Sequence, residues 1–450
     1  MGVCPAGTHF GQRRPDDCRQ DACLKGCRRT TPAHRLTAPP SPQVYRPLLG
    51  TTPTAAFDPK AVVRNVRYGA LNLLTAKLVS QTLGAAMMRF LLATMDGAGN
   101  LEPILGLSDA LVARGHEIHV VAHDVQRARI EASGGRFISY ETAPQWDQGV
   151  PGWLGQFGDA GALVAAFGPK SAEDLLGAAR RLAPDAVLVD CMMPHALRAA
   201  KSQGLKTVAL VHAPYSVWTV FLGGAFRGPI DEADLALGLS YRAFDVGADF
   251  PANLEFVGPA RPAPGAARWI RRSPGKPMVL ASLSSAIQGP PALQIDLLQR
   301  ICAALGDMDV EAVVTTGRGI DPADIKVGAN TTIERHIPHE AVLARADLLV
   351  THAGHGAVMA AVSRGVPMLC LPPGADQPLN AAKVAALGLG EVLPTTAPVE
   401  EIRAALARLL ADESLKVRSE AFAAAITREP GIERAVELIE ALWLSGTRLA

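Results

Sequence analysis

Two glycine-containing segments near the C-terminal end of the sequence combine residue types that suit phosphate and sugar binding. Residues 352–357 read HAGHGA and residues 374–381 read GADQPLNA, and each segment follows an apolar run and precedes a helical pattern. A glycine turn at a helix start lets backbone N–H groups approach a phosphate, and the helix dipole favours its negative charge. The imidazole of His352 adds a donor, while Asp376 and Gln377 offer an acceptor and an amide for sugar hydroxyls. Together these features predict a site for a phosphorylated sugar.

The elements that must hold these segments follow an alternating pattern of short apolar runs and amphipathic segments. Such alternation predicts parallel strands joined by right-handed helical crossovers. Residues 258–277 are dense in Pro, Gly and Arg and divide the pattern into two similar halves across a linker. Ligands of such sheets bind beyond the carboxyl ends of the strands. The predicted strands are 88–94, 117–122, 136–140, 185–190, 206–211, 254–258, 277–283, 310–316, 347–352 and 366–372.

Composition excludes several classes of protein. The chain has 450 residues, 48% hydrophobic and 19% charged, which fits two or three globular domains rather than a fibre, a coiled coil or a disordered chain. The best apolar stretch, 71–93, is interrupted by polar residues, so no membrane-spanning helix is predicted. Residues 88–450 carry 32 basic and 39 acidic side chains. This balance gives no reason to expect nucleic-acid binding.

Residues 1–87 differ in composition from the rest of the chain. They hold 12 Lys and Arg against 4 Asp, and four cysteines whose spacing matches no paired zinc pattern. We expect either a poorly ordered extension, with a weak helix over 61–86, or a mis-assigned start, with translation beginning at Met87 or Met88. The other three cysteines lie in apolar surroundings and no signal peptide is recognised, so a cytoplasmic location is predicted.

A family resemblance is carried by residues 336–390, which read HIPHEAVLARADLLVTHAGHGAVMAAVSRGVPMLCLPPGADQPLNAAKVAALGLG. This run resembles the donor-binding signature of the family 1 nucleotide-sugar glycosyltransferases, in the branch that modifies macrolides and other antibiotics. The resemblance extends over 88–450. It implies an α/β protein of the GT-B fold, with two facing Rossmann-like domains and a cleft between them. The implied regions are an acceptor domain (88–260), a linker (261–277), a donor domain (278–395) and helices that cross back to the first domain (396–450).

The resemblance also assigns donor-binding roles. It implies that His352 contacts the donor diphosphate, that Gly354 and Gly356 form the turn, and that Asp376 and Gln377 bind the sugar hydroxyls. Ser285 is expected near the phosphates. The sequence departs from the family pattern at Ala357 and Ala360, and His336 and His339 stand where plant members bind the base, so UDP and dTDP both remain open.

The implied reaction is an inverting transfer of a hexose to a hydroxyl group. A positioned imidazole and helix-end N–H groups can stabilise the leaving diphosphate without a metal, and the one Asp-x-Asp sequence, 307–309, is interpreted as a solvated turn. No metal and no cofactor are predicted, and the nucleotide sugar is a co-substrate.

The sequence departs from the family pattern at the position of the general base. Most relatives place a histidine where this chain has Asn100, and an amide cannot accept the proton. Asp96 in the same loop is the preferred base and Asp190, which matches the family's supporting acid, is the next candidate. Asn100 would then position the acceptor hydroxyl. Two further candidate bases are His195 and His212.

The acceptor is predicted to be a small lipophilic molecule, such as a polyketide, a phenolic or a terpenoid. This prediction rests on the aromatic residues of the irregular segments 144–168 and 212–250. Two alternatives are a catalytically impaired nucleotide-sugar-binding protein and a nucleotide-sugar 2-epimerase on the same fold. The oligomeric state is left open. The aromatic residues are Trp146, Trp153, Phe157, Phe167, Trp218, Phe221, Phe226 and Phe244.

Overall fold

The structure, a computed structural model, describes residues 87–97, 99–150, 152–217, 223–245, 249–260, 269–284, 291–427 and 431–444. The N-terminal segment of unusual composition, apart from Met87, therefore lies outside the described residues, as does the predicted helix within it. The predicted linker is described from residue 269 onward.

The first half of the described chain forms a seven-stranded parallel sheet in the order β3-β2-β1-β4-β5-β6-β7. The strands are β1 (Arg89–Ala93), β2 (Glu117–Ala122), β3 (Arg136–Ser139), β4 (Ala186–Asp190), β5 (Thr207–Val211), β6 (Leu235–Gly238) and β7 (Leu254–Phe256). The helices are α1 (Leu101–Ala113), α2 (Arg127–Ala132), α3 (Ala160–Leu182), α4 (Pro194–Ser202) and α5 (Gly224–Glu232), and residues 215–217 are also helical.

The second half repeats this arrangement with six parallel strands in the order β10-β9-β8-β11-β12-β13. The strands are β8 (Met278–Ser282), β9 (Glu311–Thr315), β10 (Thr331–Glu334), β11 (Leu348–Thr351), β12 (Met368–Cys370) and β13 (Gly390–Val392). The helices are α6 (Pro291–Gly306), α7 (His339–Leu343), α8 (His355–Val362), α9 (Gln377–Ala386), α10 (Val399–Ala411), α11 (Glu413–Ile426) and α12 (Ile432–Leu444).

Both sheets have the strand order of doubly wound nucleotide-binding folds. The order reverses between β1 and β4 in the first sheet and between β8 and β11 in the second, and ligands of such sheets bind beside these reversals. Two Rossmann-like sheets with helices confirm the predicted GT-B fold. Each of the ten predicted strands is present, but β6, β10 and β13 were missed. Strands β10 and β13 lie at sheet edges and are only partly buried, so their sequences lack a continuous apolar run.

The central strands are buried because helices cover both faces of each sheet. In β4, β5, β8 and β9 every residue is buried, which explains why their sequences are nearly continuous runs of Val, Leu and Ala. Of the helices in the described part of the chain, none is long and apolar enough to cross a membrane.

Helix α12 connects the end of the chain to the first sheet. It packs against α1, and Ala435, Val436 and Ile439 are buried in the core on that side. Glu440 accepts hydrogen bonds from Arg114 at 2.7 Å and lies 3.0 Å from Nε2 of His116. The C-terminal helix thus fastens to the half of the molecule from which it is most distant in sequence.

Candidate active site

The turn that follows β11 brings the first predicted donor motif to the start of α8. Ala353 has a φ of 64°, an unusual left-handed conformation for a residue with a side chain. Gly354 is the N-cap of α8 and has an ordinary φ of −62°. The backbone conformation therefore does not require glycine, and the reason for glycine is the lack of room for a Cβ atom. A Cβ at position 354 would lie 2.8 Å from Cε1 of His352 and closer still to Nε2. Gly354 therefore leaves room for the His352 ring against the helix start, and Gly356 is exposed in the first turn.

His352 is neutral at neutral pH in this structure. Burial, together with the charge of the neighbouring His339, lowers the pKa of His352 to about 4, and the backbone of Ser282 opposes this change. Its Nδ1 is buried without a hydrogen-bond partner in the protein. A buried ring nitrogen without a partner is costly unless another molecule supplies the bond, so Nδ1 suits a ligand at this turn.

The second predicted donor motif lies at the start of α9, beside the first. Asp376 is its N-cap, and the preceding Ala375 also has a positive φ, 53°. The amide of Asn380, which is fully buried, donates to Oδ2 of Asp376 at 2.8 Å and to the carbonyl of Ala353 at 3.1 Å. Asn380 thus ties the two turns together. Gln377 is 2% exposed, and its Oε1 accepts from the backbone N of Gly374 at 3.4 Å.

Two further donor residues, His336 and Ser285, were predicted from the sequence. Ser285 lies outside the described residues. His336 is exposed, whereas His339, which begins α7, is the histidine whose charge acts on His352. His339 was noted from the sequence only as standing where plant members bind the base, and Asn380 was not selected. Asn380 stands one helical turn after Asp376, and that i, i+4 spacing could have indicated their contact.

Asp190 at the carboxyl end of β4 is the centre of a second polar cluster. It is fully buried and accepts four hydrogen bonds. Asn100 and Thr94 donate to Oδ2 at 2.8 and 3.0 Å. The backbone N of Met192 donates to Oδ1 at 2.8 Å, and Nε2 of His212 lies 2.8 Å from the same oxygen. Asp190 therefore holds both the asparagine that replaces the family's histidine and a histidine from the end of β5.

The surroundings of His212 favour its charged form. Burial alone lowers the pKa of His212, but Cys191 and Asp190 outweigh it and hold the pKa well above the ordinary value of a histidine. Asp190, Cys191 and His212 each offer one possible ligand atom, all within 4.8 Å of one another. Both oxygens of Asp190 already accept hydrogen bonds, however, so the carboxylate is arranged for hydrogen bonding rather than for an ion.

An electrostatic interaction links the turn at Asp376 with the Asp190 cluster. Burial raises the pKa of Asp376, and Asn380 and the charge on His212 oppose this rise. His212 belongs to the first half and Asp376 to the second, so this interaction acts between the two halves.

Asp96, the preferred base, is held by groups from both halves. It is 4% exposed, accepts from the backbone N of Gln148 at 2.7 Å and pairs with Arg318 at 3.3 Å. Arg318 also pairs with Asp147 at 3.2 Å. The role of Asp96 as base stays a prediction, but its carboxylate is engaged in linking the halves.

Two other contacts join the halves near the site. Nε2 of His355, at the start of α8, lies 3.2 Å from the carbonyl of Leu239. Lys383 on α9 pairs with the fully buried Asp245 at 3.8 Å, and Asp245 also bonds Ser216, four residues after His212. Nε2 of His355 therefore faces the first half of the molecule. The sequence did not predict this contact.

Part of the aromatic group forms a cluster beside Asp96. Trp146 donates from Nε1 to the carbonyl of Asp96 at 2.7 Å and stacks on Trp153 with ring centroids 6.1 Å apart. Phe157 and Phe167 pack edge-on against Trp146. Phe244 is different, because it is fully buried in the core of the second half. Trp218 and Phe221 lie outside the described residues.

The Asp-x-Asp sequence lies apart from this site, in the turn before β9. Asp307 pairs with Arg403 at 2.5 Å and Asp309 with Lys276 at 2.7 Å. The side chains of Asp307 and Asp309 are 71% and 85% exposed, which fits the interpretation as a solvated turn.

Comparison with known proteins supports the family resemblance. Residues 299–442 match the family described as erythromycin biosynthesis protein CIII-like, C-terminal domain. The NDP-glycosyltransferase YjiC of Bacillus subtilis is 31% identical over 168 residues, which are 37% of this chain and 42% of that protein. YjiC of Bacillus licheniformis is 24% identical over 379 residues, 76% of this chain and 94% of that protein.

Solved structures show the same fold over most of the described chain. CalG4, the calicheamicin glycosyltransferase, superimposes with a TM-score of 0.67 at 23% identity, covering 81% of this chain and all of that one. VinC, solved in complex with dTDP, gives a TM-score of 0.61 at 20% identity over 80% of this chain and all of that one. Residues 299–442 therefore resemble the EryCIII-like C-terminal domain, and the chain has the GT-B fold of these glycosyltransferases.

Proposed function

We propose that this chain transfers a hexose from a UDP- or dTDP-sugar to a hydroxyl group of a small lipophilic acceptor, with inversion and without a metal ion. The observation that carries the proposal is the pair of turns tied together by Asn380. They place His352, two helix N-termini, Asp376 and Gln377 side by side at the carboxyl edge of the second sheet.

In the proposed reaction, the acceptor oxygen forms a bond to the anomeric carbon while the bond from that carbon to the diphosphate breaks. The electron pair leaves on the diphosphate and the acceptor proton passes to a base. The N–H groups at the starts of α8 and α9, with His352, would stabilise the charge that develops on the diphosphate. Asp376 and Gln377 would hold the sugar hydroxyls.

Metal independence is proposed because these groups can carry the leaving-group charge themselves. Both carboxylates of the one Asp-x-Asp sequence form surface ion pairs, Asp307 with Arg403 and Asp309 with Lys276, which supports this proposal.

The acceptor is proposed to bind against the first half. The partly exposed rings of Trp153 and Phe157 lie beside the Asp96 loop, and aromatic surfaces suit ring-bearing, lipophilic molecules. VinC was solved with dTDP, which supports testing dTDP-sugars as well as UDP-sugars. A cytoplasmic location is proposed because Cys191, Cys302 and Cys370 are buried and free.

The test begins with the purified full chain and a thermal-shift screen of UDP- and dTDP-sugars, because a ligand that binds the folded state raises its apparent stability. Donors that bind are then incubated with phenols and polyketide aglycones, and the products are identified by mass spectrometry. NMR of the new glycoside reports the anomeric configuration, and parallel reactions with EDTA test the metal requirement.

Each outcome of this test distinguishes one possibility. A glycoside of inverted configuration formed in EDTA supports the proposal. Binding of a donor with no transfer to any acceptor favours an impaired binding protein, and conversion of the sugar at C2 favours an epimerase. Loss of transfer in EDTA contradicts metal independence.

A further inference from the structure

Arg318 forms an ion-pair bridge between the two halves of the molecule. It lies in the loop after β9 of the second half, and its partners belong to the first half. Its Nη2 is 3.3 Å from Oδ1 of Asp96, in the loop after β1, and its Nη1 is 3.2 Å from Oδ1 of Asp147, after β3. A Cβ at Gly149 would lie 3.2 Å from Cβ of Arg318. The halves therefore approach closely here, and one planar guanidinium holds two carboxylates.

This Arg318 bridge is anchored at both ends. The carboxylate of Asp96 is buried, and a buried carboxylate is strongly destabilising without a counter-charge. On the other side, Nη1 of Arg335 donates to the carbonyl oxygens of Arg318 and Ile320, each at 3.2 Å. The Arg318 side chain itself is 41% exposed, so salt can screen the pair. The bridge is thus fixed in position and sensitive to ionic strength.

The first-half end of the bridge organises the segment 146–149. The indole N–H of Trp146 donates to the carbonyl of Asp96 at 2.7 Å, and the backbone N of Gln148 donates to Oδ2 of Asp96 at 2.7 Å. Trp146 in turn stacks on the partly exposed Trp153, which belongs to the surface proposed to bind the acceptor. Arg318 is therefore connected, through Asp96, to the aromatic residues of that surface.

The strand order places the Arg318 bridge on the side of the molecule away from the donor turns. In the first sheet, β1 and β3 lie on one side of the strand-order reversal and β6 lies on the other. In the second sheet, β9 lies on one side and β11 and β12 lie on the other. The elements after β6, β11 and β12 carry the contacts of His355 with Leu239 and of Lys383 with Asp245. The halves therefore touch on both sides of the reversals, beside which such folds bind ligands.

Building on the proposed function, we propose that Arg318 is a positioning residue for the acceptor. Its bridge to Asp96 and Asp147 closes the acceptor side of the crevice and fixes the segment 146–149 against the second half. Arg318 contacts neither the sugar nor the reacting atoms in this assignment. A residue of the half proposed to bind the donor thereby shapes the surface that receives the acceptor.

The experiment compares the acceptor kinetics of Arg318→Gln with its donor affinity. With a neutral phenol and saturating nucleotide sugar, we expect the acceptor KM to rise about tenfold and kcat to stay close to the wild-type value. The dissociation constant of the nucleotide sugar, measured by calorimetry, should be unchanged because the donor turns lie on the other side. Arg318→Lys keeps the charge but not the planar fork, so its KM should lie between those of Arg318→Gln and the wild type.

The control is Arg408→Gln, which removes an arginine of the same half. Arg408 pairs with Glu391 at the surface, where its side chain is 59% exposed. This variant should match the wild type in both measurements.

A double-mutant cycle and a salt series test the ion pair as the cause. Asp147→Asn should raise the acceptor KM about threefold in the wild-type background and add nothing once Arg318 is glutamine. Raising the NaCl concentration from about 0.05 M to about 0.5 M should increase the acceptor KM of the wild type more than that of Arg318→Gln. Asp147→Asn leaves the buried Asp96 paired with Arg318, and it is the second variant should Arg318→Gln not fold.

Several results would overturn this assignment. An unchanged acceptor KM in Arg318→Gln, with transfer by the wild type intact, would overturn the inference and leave the proposed function standing. Equal losses of donor and acceptor affinity would show that Arg318 supports the fold as a whole. Additive effects in the double variant, or equal salt responses of the two proteins, would exclude the ion pair as the cause. Absence of any transfer by the wild type would overturn the proposed function and this inference together.

Discussion

Gly354 offers a sharp test of the donor site, because one added carbon should remove the contribution of His352. In Gly354→Ala the new Cβ would lie 2.8 Å from Cε1 of His352 and closer to Nε2, a separation that real Cβ atoms do not tolerate. The imidazole must therefore rotate away from the start of α8. The backbone can stay as it is, since a φ of −62° suits alanine.

The size of the effect follows from the contact that is lost. A hydrogen bond to a charged group contributes about 1.5–3 kcal/mol, so the dissociation constant of the nucleotide sugar should rise by about 10- to 150-fold. Isothermal titration calorimetry with UDP- or dTDP-sugar measures this change. Gly177→Ala is the control, because its Cβ would meet the Arg181 side chain at an ordinary 3.6 Å, within helix α3. It should bind donor as the wild type does.

A double-mutant cycle with His352→Ala tests the cause. If Gly354→Ala acts through the imidazole, it should have little effect on donor affinity once His352 is alanine. Additive losses, or wild-type affinity in Gly354→Ala, would refute the reasoning.

Three further predictions concern the groups around the site. Burial among aromatic rings lowers the pKa of His123 to about 4. In the unfolded chain this histidine binds a proton at its ordinary pKa of about 6.5. The free energy of unfolding therefore falls as the pH drops below about 6.5. Urea unfolding should show that His123→Phe removes about 2 kcal/mol of the wild-type loss between about pH 7 and pH 5, and an unchanged difference would contradict this pKa. Asn380→Ala should weaken donor binding about tenfold in calorimetry, because the turns lose a charge-assisted bond of about 1.5 kcal/mol; unaltered affinity would show that the tie is dispensable. Lys383→Met should lower the free energy of unfolding in urea by about 3 kcal/mol, because it leaves the buried carboxylate of Asp245 without its counter-charge. The double variant Lys383→Met/Asp245→Asn should recover part of this loss. Equal losses in the single and the double variant would argue against the ion pair.

The sequence predicted most of the strands, and two of the three that it missed lie at sheet edges. Strand β4 reads as an uninterrupted apolar run because helices cover it on both sides. Strand β10 contains two threonines and a glutamate at a sheet edge, so no apolar pattern marks it. Strand β6 is fully buried, but its apolar run follows Asp234 and is interrupted by Gly238, so its pattern does not stand out.

The donor turns were predicted because their chemistry is local in sequence. His352 and Gly354 lie two positions apart, and so do Gly374 and Asp376. The Asp190 cluster was harder to predict, since Asp190 and His212 meet only through the pairing of β4 with β5. Consecutive strands of such folds are usually neighbours, and the polar residues at the ends of those two runs were the available signal.

The segment around Phe244 has a consequence for hybrid enzymes made by exchanging halves between relatives. Phe244 precedes the predicted linker at 261–277, yet its ring is buried in the core of the second sheet. A hybrid joined within that linker would combine Phe244 of one parent with the second-half core of the other parent. A hybrid that takes only residues 240–245 from the parent of the second half keeps Phe244 with its own core and Asp245 with Lys383. Strand β7 then stays paired with β6 of its own parent, so this hybrid should fold better than one joined at the linker alone.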